Sequence, residues 1–172
     1  NLHSGGTTIS SGAVQVGHNS ALGTGPVTMA GGTTLFWGAD ANLSNAFTLN
    51  GITNLNTSSH VGTLSGILSG QGGLNILDNL NLGTIGGAAN TYSGNTTIAA
   101  GKTVTVYKLG ALGTGNVTMA DNTTLKFAAS ATIANPITLN GNTATINTGG
   151  FASTLGGAIS QAVGTITNLI IK

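Results

Sequence analysis

A tandem repeat governs what this chain can fold into. Ser4-Gly5-Gly6-Thr7-Thr8-Ile9 returns as Ser93-Gly94-Asn95-Thr96-Thr97-Ile98, 89 residues on, and Ala21-Leu22-Gly23-Thr24-Gly25 returns as Ala111-Leu112-Gly113-Thr114-Gly115, 90 residues on. Half of the positions from 21 to 60 recur at 111–150, among them Val27-Thr28-Met29-Ala30 as Val117-Thr118-Met119-Ala120 and Thr48-Leu49-Asn50-Gly51 as Thr138-Leu139-Asn140-Gly141. Self-similarity at a constant offset marks an array in which each unit buries its apolar face against the next. The chain divides into one full unit, 1–89, and most of a second, 90–172, which together predict one continuous solenoid. The offset grows by one between the two matches. Val14 and Val16 match Val104 and Val106, because any other placement turns apolar side chains to the opposite face of a strand of period two. The extra residue therefore falls in the turn at Gly101-Lys102.

Inside each unit runs a shorter period. Alternating segments occur at Thr7–Ser10, Val14–Val16, Val27–Met29, Thr33–Trp37, Phe47–Leu49, Thr53–Asn56, Leu64–Leu68 and Leu74–Leu77. Ile9, Met29, Leu49 and Leu68 are spaced by 20, 20 and 19, and Ile98, Met119, Leu139 and Ile159 by 21, 20 and 20. Two or three short strands in a period near 20, with Gly and Asn turns between them and no sustained helical periodicity, predict an all-β, single-stranded parallel β-helix. About eight rungs stacked at ~4.8 Å give a rod of roughly 40 Å, and the two copies are expected to superpose after a move of about four rungs along the axis. The repeat also reports facing. Phe36 matches Lys126, while Leu35 matches Leu125 and Trp37 matches Phe127. A position that accepts Lys faces out, so Leu35, Trp37, Leu125 and Phe127 are expected inside, and Phe36 and Lys126 outside.

The segment Asn90-Thr91-Tyr92-Ser93-Gly94-Asn95-Thr96-Thr97-Ile98, followed by Gly101, by Ala111-Leu112-Gly113-Thr114-Gly115 and by Thr123-Thr124-Leu125, resembles the passenger-associated transport repeat of bacterial autotransporters. The first copy departs from it at His3, where the pattern has Tyr, and Asn116 stands where the first copy has Pro26. The resemblance covers 1–35 and 90–125. It implies a right-handed β-helix in a secreted or cell-surface passenger domain, carried out by a C-terminal outer-membrane β-barrel, in which this repeat assists passenger folding and secretion. The partners implied are adjacent rungs of a longer passenger and that barrel, with host-cell or self-association contacts as a further possibility.

Charge bears on partners. Charged residues make up 4% of the chain and the net charge is +1, against roughly 25% charged in an ordinary soluble domain. Lys102, Lys108, Lys126 and Lys172 are too few and too scattered for the phosphate contacts that nucleic-acid binding needs, and they form no polybasic membrane patch. Without cysteine there is neither a disulfide framework nor a thiolate metal site. Apolar runs stop far short of the ~20 residues that span a bilayer. Asn1-Leu2-His3-Ser4 lacks the basic start and apolar run of a signal peptide, so a secreted chain of this sequence is expected to be an excised or processed piece.

Chemistry is sparse. A β-helical polysaccharide hydrolase needs paired carboxylates. Asp40 and Asp78, each after an expected strand and about two rungs apart, are the nearest approach to a pair. Asp40 matches Ser130 in the second copy and no third acid supports it, so both are expected to be surface turn residues and the chain not to be an enzyme. His3, His18 and His60 have no metal-ligand spacing, no nucleotide-binding glycine pattern occurs, and no cofactor is expected. Thr103-Val104-Thr105 raises an ice-binding ladder, but its counterpart Ala13-Val14-Gln15 breaks the row. Phe36, Tyr92 and Tyr107 are the candidate surface-contact residues, expected exposed. The fold and the resemblance together predict a structural stalk and folding segment, with an adhesive surface as the alternative and a polysaccharide-degrading enzyme behind both. Neither end reads as a cap: Asn168-Leu169-Ile170-Ile171-Lys172 carries three large aliphatics, so end-to-end association or fraying over 166–171 is expected of the isolated chain.

Overall fold

The computed structural model describes residues 1–165 and 168–172. The first copy contains β1 (Thr7–Ile9), β2 (Ala13–Val16), β3 (Val27–Met29), β4 (Thr34–Trp37), β5 (Ala41–Leu43), β6 (Phe47–Leu49), β7 (Thr53–Asn56), β8 (Gly62–Leu64), β9 (Leu68–Gly70), β10 (Leu74–Ile76) and β11 (Leu80–Leu82). The second contains β12 (Thr96–Ile98), β13 (Thr103–Val106), β14 (Val117–Ala120), β15 (Thr123–Phe127), β16 (Thr132–Ile133), β17 (Ile137–Asn140), β18 (Thr143–Asn147), β19 (Thr154–Leu155), β20 (Ile159–Gln161) and β21 (Asn168–Ile171). All pairings are parallel, each strand lying beside one from the next turn. The strands stack into an eight-stranded, a seven-stranded, a four-stranded and a two-stranded sheet. The result is a β-solenoid of about eight turns.

Alternation along each strand sets what faces the axis. On the eight-stranded sheet Val14, Leu35, Leu55, Ile76, Ile98, Met119 and Leu139 follow one another in register. One core of buried residues runs through both copies. Leu35, Trp37, Leu125 and Phe127 are all fully buried, while Lys126 is exposed and Phe36 half-buried on the outer side. Trp37 donates its indole N–H to the Ala41 carbonyl at 3.0 Å, which satisfies the one polar group of the largest core side chain. The outer side of the same sheet carries Thr34, Asn54, Asn75, Thr97, Thr118, Thr138 and Ser160 in one column. The additional residue of the second copy lies where the matching of valines puts it: three residues separate Ile9 from Ala13, and four, ending in Lys102, separate Ile98 from Thr103.

Three expectations need correction. Leu64–Leu68 is not a strand but the corner between β8 and β9. Leu64 and Leu68 both point inward, so alternation reads straight through the bend, and Gly66 makes the bend possible because a Cβ there would overlap the Asn45 carbonyl. The two spacing series also slip at their last members. Leu68 pairs with Phe47 while Leu49 pairs with Gly70, and Ile159 pairs with Ile137 while Leu139 pairs with Gln161. A slip of two keeps every side chain on its own face, so facing cannot reveal it. Finally, equivalent strands of the two copies do not occupy the same sheet: β1, β3 and β6 belong to the four-stranded sheet, and their counterparts β12, β14 and β17 to the eight-stranded one. The second copy is displaced from the first by four turns and one further face, not by a whole number of rungs.

In the end strands β20 and β21 of the two long sheets, Ile159 and Ile171 remain 38% and 63% exposed although they sit at inward positions. Of the segment expected to fray, Ile166 and Thr167 lie outside the described residues, whereas Leu169 packs against the core.

Two measurements check this packing. Phe127→Ala should lower the unfolding free energy by ~3–5 kcal/mol, and Lys126→Ala by no more than ~0.5 kcal/mol, in urea titrations; a large loss at Lys126 would put the register wrong. Amide exchange should be slowest in β10 to β15 and fastest in β20 and β21.

Candidate functional site

The three candidate aromatics separate once their positions are known. Phe36 lies half-buried on the outer side of β4, between Gln15 and Asn56 of the neighbouring strands. Tyr107 follows β13 and is half-buried. Tyr92 is fully buried, which removes it as a surface contact. Its ring enters the core and its hydroxyl meets Thr96 Oγ1 at 2.7 Å, so burial pushes its ionisation well above the ordinary tyrosine range. Its counterpart His3 is exposed, and its Nε2 meets Thr7 Oγ1 at 2.9 Å, the same i, i+4 contact that Tyr92 makes with Thr96.

The acids of the chain gather on one edge of the rod. Asp40, Asp78 and Asp121, which are all the acids of the chain, and Lys102 each fall in a connection from the eight-stranded to the seven-stranded sheet. At this corner the backbone leaves one ladder before joining the next, and its N–H groups need other acceptors. Side chains supply them across rungs. Asn19 Oδ1 accepts from the Asn42 N–H at 2.8 Å, and Asp40 Oδ1 from Val61 at 2.8 Å. Asn79 Oδ1 accepts from Thr103 at 2.8 Å, and Asp121 Oδ1 from Asn142 and Thr143 at 2.7 and 2.9 Å. The Thr143 and Asn142 N–H groups hold the Asp121 carboxyl below the usual carboxylate range.

Asp78 is the most engaged of these. It is 7% exposed, which corrects the expectation of a surface residue. Oδ2 accepts from Ser59 N–H at 2.8 Å, and Oδ1 accepts from Asn79 N–H at 2.9 Å and Lys102 Nζ at 3.0 Å. Burial raises its pKa, but the Ser59 and Asn79 N–H groups and the Lys102 ammonium together outweigh that and lower it to about 2. Lys102 is the inserted residue of the second copy, so the insertion itself carries the cation that this carboxylate meets. Asp40 and Asp78 grip the same turn, Ser59–Val61, where Ser58 and Ser59 both hold positive φ. His60 Nδ1 stands 3.6 Å from Asp40 Oδ1. His18 is exposed, and its Nδ1 accepts from Ser20 N–H at 3.1 Å.

A different cluster closes the junction between the copies. Lys108 is buried at 3% exposure, and burial lowers its pKa. Its Nζ donates to Asn90 Oδ1 at 2.8 Å and to the Gly66 carbonyl at 3.4 Å. Above it lies a hollow of about 410 Å³ walled by Ile85, Tyr107, Leu109 and Ser130. Ile85 and Leu109 are 74% and 58% exposed. Sequence reasoning passed over Lys108 because His18, its counterpart, is a plain surface residue; the signal available was Asn90, which opens the repeat motif and here receives the ammonium.

No family model matches this chain, and no curated protein or solved structure matches it either.

The Asp78 cluster has a defined acid response. Its folded pKa, about 2, lies below the ~3.9 of an unfolded Asp. The stabilisation is therefore complete at neutral pH and is lost as pH falls from about 4 through 2. It amounts to something on the order of 2 kcal/mol. Asp78→Asn, which leaves an amide N–H₂ facing donors, should cost about 1–3 kcal/mol at pH 7 and flatten that part of the acid response. An unchanged acid response in denaturant titrations would separate Asp78 from it.

Proposed function

We propose that the chain is a structural stalk and folding segment of a secreted or surface-exposed passenger, supporting its β-helix and presenting whatever lies beyond it. The observation that carries this reading is the single apolar core that passes through both copies. Each rung offers its successor a full edge of backbone donors and acceptors, so folding can propagate along the axis. The carboxylates that an enzyme would use are spent on backbone N–H groups and on Lys102. The resemblance of 90–125 to the passenger-associated transport repeat supports an autotransporter setting, with an outer-membrane β-barrel as the partner that exports it.

A second reading, an adhesive surface toward host or neighbouring cells, is favoured by the hollow beside Tyr107 and the exposed Ile85 and Leu109 at its rim. Exposed apolar groups that lie together are commoner at contact sites than on free surfaces.

Fusing the chain between an export signal and an outer-membrane β-barrel tests the first reading. The chain should reach the cell surface as a folded, protease-resistant unit, and Phe127→Asp should reduce surface display at least several-fold. Retention of the unaltered chain in the periplasm would overturn the proposal. So would turnover of a polysaccharide that disappears in the Asp40→Asn/Asp78→Asn variant. Cell or glycan binding that falls on Tyr107→Ala would favour the adhesive reading.

A further inference from the structure

The one-face displacement of the second copy arises between β11 and β12. Within the first copy the step from the seven-stranded sheet to the next strand takes three residues, 44–46 after β5 and 65–67 after β8. Here residues 83–95 intervene, and they do not simply loop out. Residues 91–93 cross the face that β9 belongs to: the Thr91 and Tyr92 N–H groups donate to the Leu68 carbonyl at 2.8 and 3.3 Å, and Ser93 N–H to Gly70 at 3.0 Å. Thr114 N–H then donates to the Tyr92 carbonyl at 2.9 Å. The face is thus occupied, and β12 is carried on to the next one, where it pairs with β10.

A competing arrangement satisfies the same side-chain pattern. With 83–95 looped out, β12 would stack on β9, Thr97 beside Ser69, as Thr28 stacks on Thr48 in the first copy. Thr96 and Ile98 would still point inward and Thr97 outward. Alternation is therefore neutral between the two, since only a shift by one residue reverses facing. Some other feature must select the arrangement observed.

The selecting contacts converge on three residues, of which Asn90 has its equal in Asn1, donating to the Ala21 carbonyl at 2.6 Å, while Tyr92 and Lys108 differ from the first copy. Tyr92 fills the core on the crossed face and bonds Thr96 directly before β12. Asn90 accepts from the Leu68 N–H at 3.0 Å and from Lys108 Nζ at 2.8 Å, and donates to the Ala111 carbonyl at 2.7 Å, tying the turn before it to the turn after it. The Lys108 stem lies over Gly83, where a Cβ would sit 2.6 Å from it and where φ is +89°. The first copy has His3 and His18 at the places of Tyr92 and Lys108, both exposed.

We propose that Asn90, Tyr92 and Lys108 form a phase lock, which selects the register that turns the second copy by one face and suppresses the in-phase register with β12 on β9. Its effect on the surface is direct. It joins Thr34, Asn54 and Asn75 of the first copy to Thr97, Thr118 and Thr138 of the second in one outward column, although these are not equivalent residues of the repeat.

The chain has no cysteine, so engineered pairs report the register cleanly. Outward neighbours on paired parallel strands lie ~4.8 Å apart, within the reach of a disulfide. In the otherwise unaltered chain Asn75→Cys/Thr97→Cys should cross-link nearly completely on oxidation, and Ser69→Cys/Thr97→Cys should not. Adding Tyr92→His and Lys108→His, the first copy's own residues, should let the Ser69/Thr97 pair cross-link in at least a tenth of the molecules, with a matching fall for Asn75/Thr97. Folded Tyr92→His/Lys108→His protein that cross-links only through Asn75/Thr97 overturns the proposal. If that double variant loses its β-sheet circular dichroism, Lys108→Met decides. A folded Lys108→Met protein with a detectable Ser69/Thr97 cross-link supports the lock. Native cross-linking only, or global unfolding of this milder variant too, means that these residues hold the fold without choosing its phase, and overturns it.

Discussion

Everything in this rod depends on parallel strands meeting in register, because the strand N–H and C=O groups of one turn find their partners in the turns on either side. Once that is met, residues at equivalent places are forced into columns with a spacing of ~4.8 Å. A column repeats whatever it contains. Two unit charges at about that distance interact by roughly 1 kcal/mol in water and about 4 kcal/mol in a surface environment of lower dielectric, so a run of like charges is expensive and hydroxyls and amides are not. This accounts for a sheet surface made of Thr, Asn and Ser. Lys126 stands on a sheet face between Thr105 and Asn147, which are neutral. The three carboxylates and Lys102 lie at the corner where the backbone, out of its ladder, has donors to spare.

That corner explains what the few ionisable groups do. Asn19, Asp40, Asn79 and Asp121 all take backbone N–H groups from another rung. Short acceptors on turn residues are suited to this because they reach the chain without losing much side-chain freedom. Asp78 goes further, and becomes buried, because the inserted Lys102 supplies a cation beside it. The corner is thus a seam of inter-rung bonds in its own right, and it holds the turns together where the sheets do not.

How much of this was legible follows from which symmetries the sequence breaks. The repeat and the alternation of Leu35, Phe36 and Trp37 against Leu125, Lys126 and Phe127 sufficed for the solenoid and for its inside and outside. Shifts that preserve facing left no trace: the pairing of Leu68 with Phe47 rather than Leu49, the corner hidden in Leu64–Leu68, and the turn of one face between copies. Tyr92 was placed outside because an aromatic beside Ser and Gly in a turn-rich stretch resembles a surface residue, and only the crossing of 91–93 over β9 gives it a core to enter. The roles of Asn90 and Lys108 depend on contacts between residues 18 positions apart, and no periodicity in the chain relates them.

Tension is where the Asn90–Lys108 contact has its physical consequence. A pull through the two ends acts along the axis, the direction in which the hydrogen bonds between turns point. The outermost turn bears it first and peels, releasing about 20 residues and up to roughly 70 Å of contour before the next turn is engaged. Yielding of that kind is serial and gentle until it reaches the middle of the rod. There Asn90 grips Leu68 on one side and Ala111 on the other, with the Lys108 stem packed against Gly83. Several bonds must fail together at this point. The rod is therefore an extensible spring with a stiff node at its centre, and stretching stalls there before the second half gives way.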